Sequence, residues 1–380
     1  MTAQAGISAV QLGLPAVAPA IRDEFGLSLA ATGALLAAST VGIIATLLAW
    51  GALADRIGER AVIGIGLTGA AGALALASRT GSPEALGACL LLAGAFGSSA
   101  NAASGRAVVA WFGPRQRGLA LGLRHMSTPL GGAVAAILLP LATGVGGLDA
   151  ALLALAGGCL LGAVAAAAGL RRAEPAAAGI LDEPPPTAGP LRDRAIWRLS
   201  LGTAGVVLAQ ISLLSFTALY LHEERGWSTG AAALALAGVQ IGGAAARVVA
   251  GVWSDRVGSR MGPLRALALC GALALGAAAA LLSAPDAVAV AALVVAGVIT
   301  MAGNGVSFAA AAEMAGAGRV GTALGLQNTV LFVAVAIAPP AFGGAVGLIS
   351  WPAAFAAAAL CPLVGWWVLR PLARRERAPL

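Results

Sequence analysis

Twelve apolar runs, most of them about 20 residues long and so able to cross the hydrocarbon core of a bilayer, take up most of the chain. They fall near 4–21, 28–50, 62–79, 85–108, 118–143, 149–170, 197–221, 229–252, 264–283, 287–312, 320–346 and 351–369, separated by polar or Gly/Pro breaks. An ordinary soluble domain is roughly a quarter Asp, Glu, Lys and Arg, whereas these 380 residues are 59% hydrophobic and 10% charged. Such a chain cannot coat itself for water, so lipid is its solvent. The predicted fold class is an all-α membrane protein of twelve transmembrane helices. The first run lacks a positive n-region and a small-residue cleavage site before Arg22-Asp23-Glu24, so it reads as a span and not a leader.

What is missing narrows the chemistry. All 23 basic residues are Arg, so there is no P-loop lysine for ATP and no Schiff-base lysine. Cys89, Cys159, Cys270 and Cys361 stand alone in apolar runs and read as packing residues, not as disulfides or metal ligands. HEERG at 222–226 lacks the second His of a zinc site, and no GxSxG elbow is present, so an intramembrane enzyme or sensor finds no support. No cofactor and no catalytic residue is expected.

The net charge of +7 follows from arginines held on one side, and no nucleic-acid partner is expected. With both termini inside, the inner loops collect Arg56, Arg60, Arg115, Arg117, Arg256 and Arg260 among others, and the outer loops hold only Arg22, Arg79 and Arg225. This predicts a multi-pass protein of the cytoplasmic membrane. Seven of the eight tryptophans lie near span ends, as interfacial anchors do.

The proline-rich stretch 171–196 is the one long polar segment, and it divides the chain into a predicted bundle of six spans at 1–170 and another at 197–380 with a short basic tail. The halves repeat. GALADRIGER at 51–60 recurs as GVWSDRVGSR at 251–260, ALGL at 120–123 recurs at 323–326, and Asn101 meets Asn304 at that second offset of 203. An even number of spans per repeat makes the copies parallel, an architecture that places a site where two halves face each other.

The G-x-L-A-D-R-x-G-x-R string of Gly51, Leu53, Asp55, Arg56, Gly58 and Arg60, its copy in Gly251, Asp255, Arg256, Gly258 and Arg260, the linker and the six-plus-six repeat resemble the major facilitator superfamily. That resemblance implies alternating access, with the two strings gating the inner side. In physical terms, Gly51 and Gly58 would allow close helix approach and a tight turn, and Asp55 would accept from helix N-terminal amides and pair with arginine. The alternative is that these charges only enforce topology. Arg106, near the inner end of the fourth span, is expected to pair with the gating loop.

Arg247 stands in R-V-V-A-G-V-W-S-D-R, which resembles the eighth span of monocarboxylate and oxalate/formate carriers, where the arginine binds the substrate carboxylate. A guanidinium suits that task, being charged when desolvated and shaped as a planar fork; snorkelling or gate closure is the competing role. Arg124 is the expected second anion ligand, and His125 is either a proton carrier or a hydrogen-bonding residue. Their second-half equivalents, Gln327 and Asn328, depart from the oxalate-type pattern. Asn101, Gln210, Gln240 and Asn304 are expected to line the site or to glue helices together. Embedded carboxylates are scarce, so proton coupling is left to His125, Glu313 or the substrate's own acid group. The leading expectation is a monomeric secondary carrier of a small organic anion, by preference a monocarboxylate; the runner-up is an exporter of neutral or amphipathic compounds, with Arg247 and Arg124 structural.

Overall fold

The computed structural model describes residues 2–111, 114–169, 193–315 and 320–377, and within them every side chain except those of 55, 104–125, 320, 321 and 377. All regular structure among these residues is helical: α1 Thr2–Gly13, a 3-10 turn Leu14–Val17, α2 Ala18–Phe25, α3 Leu29–Ile57, α4 Glu59–Ala77, α5 Pro83–Trp111, α6 Pro114–Gly169, α7 Arg194–Glu223, α8 Thr229–Val257, α9 Met261–Leu281, α10 Asp286–Ala302, α11 Asn304–Ala315, α12 Val320–Leu348, α13 Trp351–Val368 and α14 Arg370–Arg377. The predicted linker falls almost wholly outside the described residues.

Eleven segments among the described residues are long and apolar enough to cross a bilayer. One of them, Met126–Gly169, has 44 residues, and Gly146 and Gly147 leave helical dihedrals inside it, Gly147 at φ 67°. Divided at that bend, the passes number twelve. Val145 (92% exposed), Leu48 (86%) and many other Leu, Val and Ile side chains point outward. In water that surface would aggregate; against hydrocarbon it is the ordinary exterior of a helical membrane protein.

Two passes are interrupted. α1 gives way at Gly13 to the 3-10 turn, where Pro15 has no amide to donate. α10 stops at Ala302, and α11 starts at Asn304 beyond Gly303.

The chain clusters into two compact units. The first comprises Met1–Ala177, Leu214–Ile241 and Pro339–Gly347. Here α1 packs on α6, α3 on α5, and α4 on both α5 and α6. Between lipid-soluble helices the hydrophobic effect gives no net attraction, so close van der Waals contact has to hold them, and small residues permit it. Gly42 and Gly94 do so at the α3–α5 crossing: a Cβ on Gly42 would strike the Leu91 carbonyl, and one on Gly94 the Ser39 carbonyl. Leu214–Ile241 and Pro339–Gly347 join this unit through Phe216 and Phe342, whose rings lie 5.2 Å apart, and through Gly343, which packs against the Leu29 carbonyl.

The second unit comprises Ala178–Leu213, Gly242–Ala338 and Leu348–Leu380. α9 packs against α10 and α13, and a core of Leu199, Met261, Leu264, Val306, Leu369 and Leu372 runs to the end of the chain. The basic tail is therefore ordered as α14, with Leu372 and Ala373 buried.

The α3–α5 crossing makes a direct prediction. Gly94→Ala lowers the Tm of the detergent-solubilised protein, at a cost of about 1–3 kcal/mol for forced overpacking. Gly72→Ala, where a Cβ meets no atom within 4 Å, leaves the Tm unchanged or slightly raised.

Candidate functional site

Arg247 is half-buried on α8, and its Nε donates to the Met301 carbonyl at 3.2 Å. Met301 lies in the last turn of α10, just before the break at Gly303. Carbonyls in a terminal turn lack the amides of a next turn and carry the negative end of the helix dipole, so a guanidinium is well matched to them. The charge is thus held at a helix break in the second unit.

Seven residues earlier on the same face of α8, Gln240 does the equivalent in the first unit. It is fully buried, its Nε2 donates to the Leu12 carbonyl at 3.1 Å where α1 breaks, and its Oε1 has no hydrogen-bond partner. Gly132 makes room for it, since a Cβ there would collide with the Gln240 amide.

The other polar candidates form pairs. Gln4 Nε2 donates to Asn101 Oδ1 at 2.7 Å, tying α1 to α5. Asn304 Nδ2 donates to Gln210 Oε1 at 3.2 Å, tying α11 to α7. Each half thus joins its first and fourth spans by a Gln–Asn bond; these bonds serve the helix-gluing alternative, and Gln4 was not picked out from the sequence. Gln327 on α12 is 0% exposed, and neither atom of its amide has a partner. Asn328 beside it is half-buried. The side chains of Arg106, Arg124 and His125 lie outside the described residues.

At the repeated string, Gly58 (φ 83°) and Gly258 (φ 64°) both take positive-φ turns, a conformation that glycine adopts without a Cβ penalty. Among the described side chains, a Cβ at Gly51 or Gly251 meets nothing within 4 Å, whereas Gly58 supplies a positive-φ turn. The Asp55 side chain lies outside the described residues, and Arg56, Arg60 and Arg256 are exposed.

The second copy carries a charged cluster. Arg260 pairs with Asp255 at 2.5 Å and with Glu313 at 2.8 Å, and it donates to Ser254 Oγ at 3.1 Å. Its pKa is raised, chiefly by the hydrogen bonds it donates to Glu313; burial opposes this, and the bond to Asp255 adds to the rise. Glu376 of α14 accepts from Ser259 Oγ at 2.6 Å, from the Arg260 amide at 2.7 Å and from the Met261 amide at 3.1 Å. A carboxylate 115 residues distant thereby caps α9, whose own N-cap residue supplies no side-chain bond. Sequence reading took the tail for a topology marker; the single acid in Arg374-Arg375-Glu376-Arg377 was the available signal.

A second repeated loop also escaped the sequence reading. Gly26 (φ 61°) and Gly226 (φ 66°) are 200 residues apart, the same offset as Gly58 and Gly258. Ser28 Oγ accepts from the Ala31 amide and Ser228 Oγ from the Ala231 amide, each at 3.2 Å. Arg22 Nε reaches the Leu27 carbonyl and His222 Nδ1 the Trp227 carbonyl, each at 2.8 Å. The two loops are one motif used twice, both lie in the first unit, and an Arg22–Glu223 ion pair joins them. HEERG is therefore the counterpart of the loop that follows Arg22.

Residues 3–339 match the family model of the Major Facilitator Superfamily. Two uncharacterised MFS-type transporters of Mycobacterium tuberculosis, one from strain CDC 1551 / Oshkosh and one from strain H37Rv, are each 34% identical to the chain over 361 residues, covering 92% of it and 79% of the relative. Among solved structures, the chain resembles a bacterial homologue of the human lysosomal transporter Spinster. Against its inward-facing occupied form the TM-score is 0.77, at 16% identity, with 99% of this chain and 95% of that one covered. Against the inward-facing unoccupied form the TM-score is 0.78, at 16% identity, with 100% and 97% covered. At that identity the likeness speaks for the fold, and the family match and the 34% relatives settle membership: this chain belongs to the Major Facilitator Superfamily of transporters.

Proposed function

We propose that the chain is a secondary carrier of a small organic anion, by preference a monocarboxylate, with Arg247 as the principal anion ligand. The observation that carries this reading is a guanidinium retained inside a membrane span and oriented by the Met301 carbonyl. A charge at that depth costs a few kcal/mol or more, and a helical bundle keeps one when it serves the site. With Nε–H given to Met301, the remaining N–H groups sit on the two Nη atoms in the fork geometry that a carboxylate accepts. Arg124 adds positive field from the first half, and Gln327, Asn328 and the Gln240 Oε1 offer amide groups to the rest of the substrate. An unpartnered buried amide is costly in the empty state, so a ligand that satisfies Gln327 gains in proportion.

Alternating access exchanges which end of the two duplicated halves is open. In this reading the strings at Asp55, Arg56, Gly58, Arg60 and Arg106, and at Asp255, Arg256 and Gly258, latch the cytoplasmic side, and the Arg22–Glu223 pair latches the opposite one. Both termini lie in the cytoplasm, the bundles are 1–170 and 197–380, and the carrier acts as a monomer. Coupling to a proton runs through His125, Glu313 or the substrate's acid group.

A second reading, export of neutral or amphipathic compounds, draws on the same bond. An arginine spent on a broken helix is also what a structural role would produce.

Two measurements separate these. In a thermal-shift screen of small carboxylates on purified protein, an acid that binds raises the Tm by mass action. Arg247→Gln abolishes that shift and Arg247→Lys weakens it, because the fork is lost although the charge stays. A carboxylate shift unchanged in Arg247→Gln removes Arg247 from the site, and no shift with any acid leaves the neutral-substrate reading. Gln327→Met removes an unpartnered buried amide. It raises the ligand-free stability by about 1–3 kcal/mol and reduces the carboxylate shift; a lowered ligand-free Tm rejects its assignment to the site.

A further inference from the structure

We infer that the exposed face of α14 is a docking surface for anionic phospholipid headgroups, and that lipid held there stabilises the Glu376 cap on α9. α14 has two faces. At about 100° per residue, Leu372, Ala373 and Glu376 share one side; the first two are buried in the core of the second unit, and Glu376 is bonded to Ser259, Arg260 and Met261. Arg370, Arg374 and Arg375 occupy the other side, all exposed, and none has an ion-pair or hydrogen-bond partner among the described residues.

The position of that face relative to lipid follows from α13. Leu360, Leu363, Val364 and Trp367 recur at helical spacing and are exposed, Trp367 at 65%, so they form the lipid-facing stripe of this span. An exposed tryptophan at the end of such a stripe marks the level of the headgroups. The joint at Leu369 keeps right-handed helical dihedrals (φ −76°, ψ −13°), so the stripe continues into α14 with little change of phase. Beyond Trp367 it is occupied by the three arginines. Apolar side chains, then an indole, then guanidinium groups follow the order of hydrocarbon, interface and phosphate. Guanidinium binds phosphate oxygens in a bidentate fork, which favours a lipid phosphate over a merely delocalised negative surface.

The coupling is mechanical. Glu376 follows Arg375 by one residue, about 100° around the same short helix, so a headgroup that fixes the arginine side of α14 also fixes the carboxylate that caps α9. That cap adjoins Arg260, which is paired to Asp255 and Glu313. Lipid composition thereby reaches the charged cluster of the second repeated string without entering the bundle.

The test uses the full-length purified protein and two titrations, one with phosphatidylglycerol and one with phosphatidylcholine, followed by Tm and by native mass spectrometry of retained lipid. Phosphatidylglycerol raises the Tm more than phosphatidylcholine does, and the excess shrinks with added salt. The variant Arg370→Gln/Arg374→Gln/Arg375→Gln loses the excess and retains anionic lipid less well by on the order of a hundredfold, at about fivefold per surface arginine. The corresponding triple Lys variant keeps most of the excess, which separates loss of charge from loss of folding. Glu376→Gln lowers the Tm in both lipids and still retains phosphatidylglycerol. Equal responses to the two lipids, or an undiminished excess in the triple Gln variant, overturns the proposal. An equal rise with inorganic phosphate alone also overturns it, by making the occupant a soluble anion.

Discussion

A backbone carbonyl freed inside a bilayer has no water to turn to, and two passes among the described residues are broken between their ends. Each break is met by a side chain of α8: Gln240 at Leu12 and Arg247 at Met301. The two residues are seven apart and therefore on one face of the helix. The unit boundary on α8 falls between them, at Ile241 and Gly242. One helix thus supplies the polar partner at both breaks, Gln240 within the first unit and Arg247 within the second. A hydrocarbon surrounding makes these bonds consequential, because an unsatisfied carbonyl costs several kcal/mol there. Meeting two breaks with two polar partners on a single stripe gives α8 a part that no uniformly apolar span could fill.

Bonds of the same kind recur within the units. Gln4–Asn101 and Gln210–Asn304 fix the fourth pass of each half to the first. In hydrocarbon, amide–amide bonds between helices are directional where apolar packing is not, so they set rotation about the helix axis. The glycines do the complementary work by setting distance, as at Gly42 and Gly94. Rotation and separation together determine which side of α5 and α11 is turned away from their own bundles.

The number of passes, their limits and the duplication were legible in the sequence, because they reside in hydropathy and in local strings that survive as text. The interruption in the sixth helix at Gly146 and Gly147 coincides with the gap between the fifth and sixth runs for the same reason. The partners of polar residues were not legible. Gln4 and Asn101 are 97 positions apart, and nothing in the periodicity of either helix states which face meets the other. Glu376 was hidden by its neighbours, since three arginines around one acid read as a charge label. A glycine in a repeated string has two uses, and the string by itself does not say that Gly58 makes the turn. The loop after Arg22 was within reach: the offset of 200 already found at Gly58 would have matched Gly26 to Gly226, had HEERG been compared with the first half instead of with a zinc motif.

The duplication also directs attention to where the copies differ. The backbone repeats closely: Gly26 with Gly226, Gly58 with Gly258, Ser28 with Ser228 as helix caps. The chemistry does not. At the same offset of 200, Arg22 stands against His222 and Leu47 against Arg247; at 203, Arg124 stands against Gln327. Because the copies are parallel, a frame of two equal halves would bind any ligand in two equivalent poses. Substituting a charge in one half only removes that degeneracy. Arg247 is the unmatched position whose partner is visible, and that partner is a carbonyl exposed by the break in its own half. The unmatched charge and the interruption of the helix beside it therefore meet in one bond, from Arg247 Nε to the Met301 carbonyl.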